Sequence, residues 1–223
     1  MAGMPAPPHL AIIGLGAIGN ALLPMVACQG FGHITLVDGD TIEKGNLVRQ
    51  PLYGSGDIGR FKVDVAVERT AHLHLERKVT VVRAFLDQAN IAALLHAVDL
   101  VADCMDDLHA RKLLDSTCAE LGLPLVSGAV HGDQLQVSTA HVSSYPGIYE
   151  RFQGRATTLQ DGCDMRNVPI TATVITAALM AQRLGRFLHH APADPFMDLL
   201  DVSKGQWLRI APPLPPEDDQ LIA

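Results

Sequence analysis

A glycine-rich stretch and an aspartate downstream of it are the first residues in this sequence whose spacing suggests chemistry. Gly14, Gly16 and Gly19 follow the apolar run 10–13 in the spacing G-x-G-x-x-G, and a helical pattern starts within them. Glycine lets the backbone turn tightly and approach a phosphate, and a helix N-terminus adds N–H donors and positive potential. Asp38 ends the next apolar run, where a carboxylate can bind ribose hydroxyls. This pattern predicts a nucleotide site; taken alone it makes NAD the default ligand, and its alternative is a glycine turn without a ligand.

The segments that must position these residues alternate regularly along the chain. Apolar runs predict strands at 10–13, 33–37, 79–82, 100–103, 124–128 and 134–139. Helical periodicity predicts helices from the glycines to residue 28 and over 63–75, 91–96 and 108–121, the last stopping at Gly122. We therefore expect an α/β fold with a Rossmann-like, doubly wound, mostly parallel sheet.

The C-terminal third breaks this alternation. Residues 143–167 have weak periodicity and predict a crossover loop, whereas 169–189 predict a long buried helix. Between 192 and 216 we expect one short strand, 206–210, in a C-terminal antiparallel extension of the sheet, and residues 211–223 predict a mobile tail. The whole chain, 1–223, is expected to form a single domain.

Composition excludes several classes of protein. The chain has 48% apolar residues, and 17 basic against 24 acidic residues give a net charge of −7, which argues against nucleic acid as a partner. The N-terminus lacks the pattern of a signal peptide, and the uncharged stretch 169–182 is too short to span a membrane. The four cysteines form no C-x-x-C pair, so we expect neither zinc nor disulfides and a cytoplasmic location.

A second set of motifs changes the default ligand. The sequence reads VDGDTIEKGNLVRQ over 37–50, DIGRFK over 57–62, LVADCMDD over 100–107 and PLVSGA over 124–129, with Arg111 between the last two. With these motifs the chain resembles the ThiF/MoeB/HesA family, whose members are similar to the adenylation domain of ubiquitin-activating enzymes. The resemblance covers about four fifths of the chain, and the combination is specific although each motif is short.

The resemblance implies an ATP-dependent adenylyltransferase. It implies ATP and Mg²⁺ as cofactors, a ubiquitin-like or sulfur-carrier protein with a C-terminal glycine as partner, and a homodimer or heterodimer. In such a reaction the carrier's carboxylate attacks the α-phosphate of ATP and pyrophosphate leaves, so negative charge must be neutralised at one point.

Residue by residue, the resemblance assigns roles at five positions. Arg49 and Lys62 match ATP-phosphate contacts, and their alternative is solvated surface charge. Asn46 and Gln50 match polar positions of the same pocket. Asp106 matches the magnesium-binding aspartate. Of the flanking acids, Asp103 is expected to cap or orient the loop or to touch the ligand, and Asp107 to add charge near the metal or face solvent.

Cys163 is a candidate nucleophile. It stands near the position where some relatives place a cysteine that joins the carrier covalently, although Asp161 and Asp164 beside it would raise the pKa of its thiol. A loop cysteine without a role is the alternative. The short N-terminus also lacks the arginine that relatives extend into a neighbouring subunit's ATP site.

Two other functions stay open. An NAD(P)-dependent oxidoreductase fits the glycine turn and Asp38, but the sequence shows no catalytic dyad for hydride transfer. A non-catalytic partner subunit of an activating enzyme fits the missing N-terminal arginine.

Overall fold

A mixed sheet of eight strands runs through the part of the chain that this computed structural model describes, residues 6–73, 77–142 and 168–211. The strands are β1 His9–Ile13, β2 His33–Val37, β3 Lys78–Val82, β4 Leu100–Asp103, β5 Leu125–His131, β6 Gln134–Ala140, β7 Met197–Asp201 and β8 Gln206–Ile210. Their order is β3-β2-β1-β4-β5-β6-β7-β8. Strands β1 to β5 pair in parallel, and β6 to β8 extend the sheet in antiparallel pairs.

Helices cover both faces of this sheet. They are α1 Ala17–Ala27, α2 Lys62–Thr70, α3 Ile91–Leu95, α4 Leu108–Leu121 and α5 Ile170–Leu188. Because successive strand residues point to opposite faces, β1 contributes Leu10 and Ile12 to one apolar core and Ala11 and Ile13 to another. The first core includes side chains of α1, α2 and α5, and the second includes side chains of α3 and α4. The predicted doubly wound fold with an antiparallel extension is confirmed.

The sheet order reverses at β1. The chain leaves β1 through α1 toward β2, and it later returns to β4 on the other side of β1. The connections after β1 and β4 therefore diverge and leave a crevice at the carboxyl ends of these strands, which is where open α/β sheets bind ligands. The backbone N–H of Cys104, just after β4, donates to the carbonyl of Ile13 at 2.9 Å, so the two connections start side by side.

Most predicted elements match the structure, and two expectations were wrong. The described part of the region 192–216 contains two strands, since β7 precedes the expected strand, β8. The sequence of β7, MDLLD, does not alternate regularly between apolar and polar residues. Its Asp198 is a buried carboxylate that is paired with Arg183 and Arg209. The helix expected over 63–75 ends at Thr70 and continues as a 3-10 turn, Ala71–Leu73.

Some expectations lie outside the described residues. These are the crossover loop 143–167 and the tail 211–223, apart from Ala211, so both stay predictions, as does the single-domain organisation. None of the helices within the described ranges is long and apolar enough to cross a membrane.

Candidate functional site

A cavity of about 560 Å³ opens at the reversal of the strand order, and we refer to it as the switch-point cavity. Its volume is typical of small-molecule sites. The predicted residues that line it are Gly14, Gly16, Asp38, Asn46, Arg49, Gln50, Lys62 and Asp106. Gly19 does not line it, and Cys163 lies outside the described residues. Folding thus brings residues from four separate motifs to one cavity.

The three glycines have different roles. Gly14 has a φ of +93°, and a Cβ there would lie 3.0 Å from the Cys104 carbonyl. A Cβ on Gly19 would lie 2.0 Å from the Gly14 carbonyl oxygen, so Gly19 allows α1 to pack on the turn. A Cβ on Gly16 would have no described atom within 4 Å, and this residue faces the cavity. Of the three, only Gly16 leaves space that a ligand could use.

The N-terminus of α1 lies at the cavity and contributes positive potential there. Gly16 is the N-cap residue, no side chain within the described chain caps the helix, and its first turn has no acidic residue. The first backbone N–H groups of a helix have no intrahelical acceptor, and an anion can satisfy them. The turn is therefore suited to bind a phosphate.

Asp38 holds the glycine turn in place. Its carboxylate accepts hydrogen bonds from the backbone N–H of Leu15 at 2.6 Å and of Asp40 at 2.7 Å. Burial raises the pKa of the Asp38 carboxyl, and the nearby Lys62 ammonium opposes this shift. A carboxylate has about four acceptor positions, so Asp38 can still bind hydroxyl groups in the cavity.

Lys62 begins α2 and is buried, so the interpretation of this residue as solvated surface charge was wrong. Its Nζ lies 2.6 Å from Oδ2 of Asp40, which also lines the cavity. Asp40 was missed as a site residue, although it stands two positions after Asp38 in the VDGD motif. A phosphate entering the cavity would compete with Asp40 for the Lys62 ammonium.

The turn over 44–50 supplies polar atoms that have no partner in the described part of the chain. Nη1 of Arg49 donates to the Gly45 carbonyl at 2.9 Å, whereas its Nε is buried and has no hydrogen-bond partner within the described chain. Oε1 of Gln50 is likewise buried and unpartnered there. Asn46 closes the turn, because its Oδ1 accepts from the backbone N–H of Glu43 at 2.9 Å. Buried polar atoms of this kind normally have a partner, which favours a polar ligand beside Arg49 and Gln50.

The two acids at 106 and 107 have separate roles. Oδ1 of Asp107 caps α4 by accepting from the Ala110 N–H at 2.7 Å. Asp106 is exposed, lines the cavity and has no hydrogen-bond partner among the described residues. A free carboxylate fits Mg²⁺, which prefers oxygen ligands and is often held by one or two carboxylates plus substrate phosphates. Within the described ranges no group of three or more metal-binding side chains occurs.

Asp103 orients the segment that carries Asp106. One carboxylate oxygen accepts from Nε of Arg111 at 3.0 Å and from Oγ of Ser127 at 2.8 Å, and the other accepts from the Met105 N–H at 3.1 Å. Arg111 also donates to Oγ of Ser127 at 2.6 Å. This buried network joins the ends of β4 and β5 to α4. Of the expectations for Asp103, an orienting role agrees with these bonds.

The switch-point cavity thus combines a glycine turn suited to bind a phosphate, cations and the exposed carboxylate of Asp106. Comparison with known proteins gives the class of protein. The chain belongs to the ThiF family, whose family profile matches residues 8–220. It is 40% identical over 121 residues to the molybdopterin-synthase adenylyltransferase of Escherichia coli strain K12, covering 54% of this chain and 49% of that protein. It is 30% identical over 131 residues to the SAMP-activating enzyme E1 of Haloferax volcanii, covering 59% and 48%.

The matches to these curated relatives therefore span about half of their length. Among solved structures, E. coli MccB in its crystal structure with ATP superposes with a TM-score of 0.76 at 20% identity. That superposition covers 94% of this chain and 66% of MccB, and it shows that the two share a fold.

Proposed function

We propose that this chain binds ATP with Mg²⁺ in the switch-point cavity and adenylates the C-terminal glycine carboxylate of a ubiquitin-like or sulfur-carrier protein. The observation that carries the proposal is that Arg49, Lys62 and Asp106 line one cavity together with the N-terminus of α1, which no described side chain caps. The relatives named as adenylyltransferase and activating enzyme support it. Dimerisation and a cytoplasmic location stay predictions from the sequence.

The residues divide the binding of ATP between them. The N–H groups at Gly16 and the first turn of α1 bind phosphate oxygens, and Asp38 accepts hydrogen bonds from the ribose. Lys62 and Arg49 supply positive charge beside the phosphates, Arg49 through a planar fork whose Nε has no partner among the described residues. Gln50 and Asn46 line the same wall.

The reaction itself depends on neutralisation of the negative charge on the phosphates more than on acid–base chemistry. A carboxylate oxygen of the carrier forms a bond to the α-phosphorus, and the bond from that phosphorus to the bridging oxygen of the β-phosphate breaks. Pyrophosphate leaves with the electron pair, and no proton must be removed because the carboxyl is already ionised at neutral pH. Lys62 and Arg49 stabilise the charge on the phosphates. Asp106 would hold Mg²⁺, which would supply further neutralising charge beside the phosphates.

A covalent step on Cys163 is a separate proposal. The thiolate would attack the carrier acyl-adenylate, form a thioester and release AMP. Carrier conjugates that are sensitive to thiols should be absent in Cys163→Ser, while adenylation should persist.

Calorimetric titration tests which nucleotide the protein binds. We expect the purified protein to bind ATP with Mg²⁺ and not NAD. Asp106→Asn should weaken binding of ATP with Mg²⁺ about ten-fold or more, because a charge-assisted contact contributes about 1.5–3 kcal/mol. Without Mg²⁺ the variant should bind ATP at least as tightly as the wild type, because asparagine removes a negative charge beside the phosphates. Glu120→Gln is the matched control, since Glu120 is an exposed acid of α4 that does not line the cavity.

The outcomes separate the competing functions. Binding of NAD alone would point to the oxidoreductase, and binding of neither nucleotide would favour a non-catalytic partner subunit. The reaction is tested by exchange of labelled pyrophosphate into ATP. E. coli molybdopterin synthase is supplied as the carrier, because the E. coli relative is named as the adenylyltransferase of that protein.

A further inference from the structure

An aromatic side chain in the wall of the switch-point cavity has no role in the proposed function so far. Phe85 follows β3 and lines the cavity, yet it is 66% exposed. Its neighbour Leu86 is buried at 8% exposure and belongs to the core. A large apolar ring that stays exposed beside a buried aliphatic side chain is available for contact with a ligand.

The ring of Phe85 has a defined position. It lies directly against the backbone of Gly39, because a Cβ on Gly39 would come within 2.7 Å of its Cδ2 and 2.8 Å of its Cε2. The Phe85 carbonyl accepts a hydrogen bond from Nδ2 of Asn90 at 2.7 Å. The side chain of Asp87 accepts from the N–H groups of Ala89 and Asn90 at 2.9 Å. The ring is therefore presented by an ordered turn.

The order of the strands places this ring at one end of the cavity. The glycine turn follows β1, Asp38 follows β2, and Phe85 follows β3, and these three strands are adjacent in the sheet. A nucleotide with its phosphates at Gly16 and its ribose at Asp38 continues in the same direction toward β3. The apolar residues at that end are Val37, Ala84, Phe85 and Leu86.

We propose that Phe85 is the platform on which the adenine ring of ATP stacks, and that it determines how strongly the base contributes to binding. The inference rests on the proposed function, since it takes ATP as the nucleotide. Aromatic side chains stack on the faces of bases, and the gain depends on overlap of the rings. Phe85 thus contacts the face of the base, and it contributes nothing to the binding of a ligand that has phosphates but no base.

The first test compares ATP with a ligand that lacks the base. Binding of ATP with Mg²⁺ and of inorganic tripolyphosphate with Mg²⁺ is measured by calorimetry for wild type and Phe85→Ala. The variant should bind ATP about 5- to 100-fold more weakly, as for loss of one base–aromatic stack. Its affinity for tripolyphosphate should equal that of the wild type. Leu208→Ala is the matched control, because Leu208 is 64% exposed on β8 and does not line the cavity.

A second test observes stacking directly. Phe85→Trp should retain ATP binding, and ATP should quench the fluorescence of the introduced indole, whereas tripolyphosphate should leave it unchanged. The chain contains one tryptophan, Trp207, so the wild type supplies the background signal.

The results distinguish this inference from the proposed function. If the wild type binds ATP and Phe85→Ala binds it equally well, the platform is refuted while the proposed function stands. Equal weakening of ATP and tripolyphosphate would also refute it, because the substitution would then act on the phosphate end. Failure of the wild type to bind ATP would refute both.

Discussion

Two glycines of the same turn should respond in opposite ways to the same substitution. Gly19→Ala places a methyl group 2.0 Å from the Gly14 carbonyl oxygen, inside any allowed contact distance and against backbone. Gly16→Ala places a methyl group where no described atom lies within 4 Å, and the φ of −67° at this position suits alanine. The first change should therefore impair folding and the second should impair binding.

The magnitudes follow from these contacts. Overpacking costs about 1–3 kcal/mol, and because backbone must move for Gly19→Ala, we expect about 3 kcal/mol or more. For a chain of this size that lowers the melting temperature by roughly 6–12 °C. For Gly16→Ala, about 0.5–1 kcal/mol lost at the N-cap offsets about 0.4–1 kcal/mol gained from a stiffer unfolded chain. Its stability should stay within about 0.5 kcal/mol of the wild type.

Binding should show the reverse order. A methyl group on Gly16 would occupy the space through which, in the proposed function, a phosphate approaches the N-terminus of α1. Loss of about two charge-assisted hydrogen bonds, roughly 3 kcal/mol, weakens ATP binding about 100-fold.

Urea unfolding and calorimetry with ATP and Mg²⁺ measure both quantities on the same preparations. The reasoning is refuted if Gly16→Ala binds ATP as the wild type does, or if it loses as much stability as Gly19→Ala.

Two further predictions concern stability away from the cavity. The rings of His9 and His33 stack at 3.6 Å, and burial, His9 and Lys78 lower the pKa of His33, so the unprotonated form is favoured in the fold. The contribution of His33 to stability should therefore be fully present above about pH 6.5 and be lost as the pH falls below that value. In thermal unfolding, the melting temperature should fall less between about pH 7.5 and about pH 5.5 for His33→Gln than for the wild type. Arg183 is 1% exposed and pairs with buried Asp198 at 2.5 Å, so Arg183→Met should cost about 3 kcal/mol by leaving a buried charge poorly compensated. A loss below about 1 kcal/mol in urea unfolding would contradict this expectation.

Local patterns predicted the parallel half of the fold and most of the cavity. The strands 33–37 and 100–103 and the helix 108–121 appear with the predicted bounds, and Gly122 ends the helix at a φ of +66°. Apolar periodicity and helix stop signals act over a few residues, so they can be read without knowledge of distant contacts. The motif residues converge because each follows a strand of one parallel sheet, whose carboxyl ends meet at the same edge.

Contacts between distant segments were harder to predict. The acids at 103, 106 and 107 look alike in the sequence, yet their surroundings differ. Asp103 is buried with Arg111 and Ser127. Asp106 and Asp107 both line the cavity, and Asp107 also caps α4. Their roles depend on which partners the fold brings near each carboxylate. Strand β7 was missed for the same reason, since an acidic residue inside a strand is compatible with burial only when its cations come from elsewhere in the chain.

The sequence by itself determined the class of fold, the position of the glycine turn and the family, because these depend on glycine conformation, local periodicity and motif spacing. Only the tertiary structure decided that Gly19 packs on the backbone of Gly14 while Gly16 faces the cavity. It also decided that Lys62 is paired with Asp40 and that the Phe85 side chain stays exposed at one end of the cavity. Each of these depends on the distance between atoms of segments that are separate in the chain, and that distance exists only once the sheet has formed.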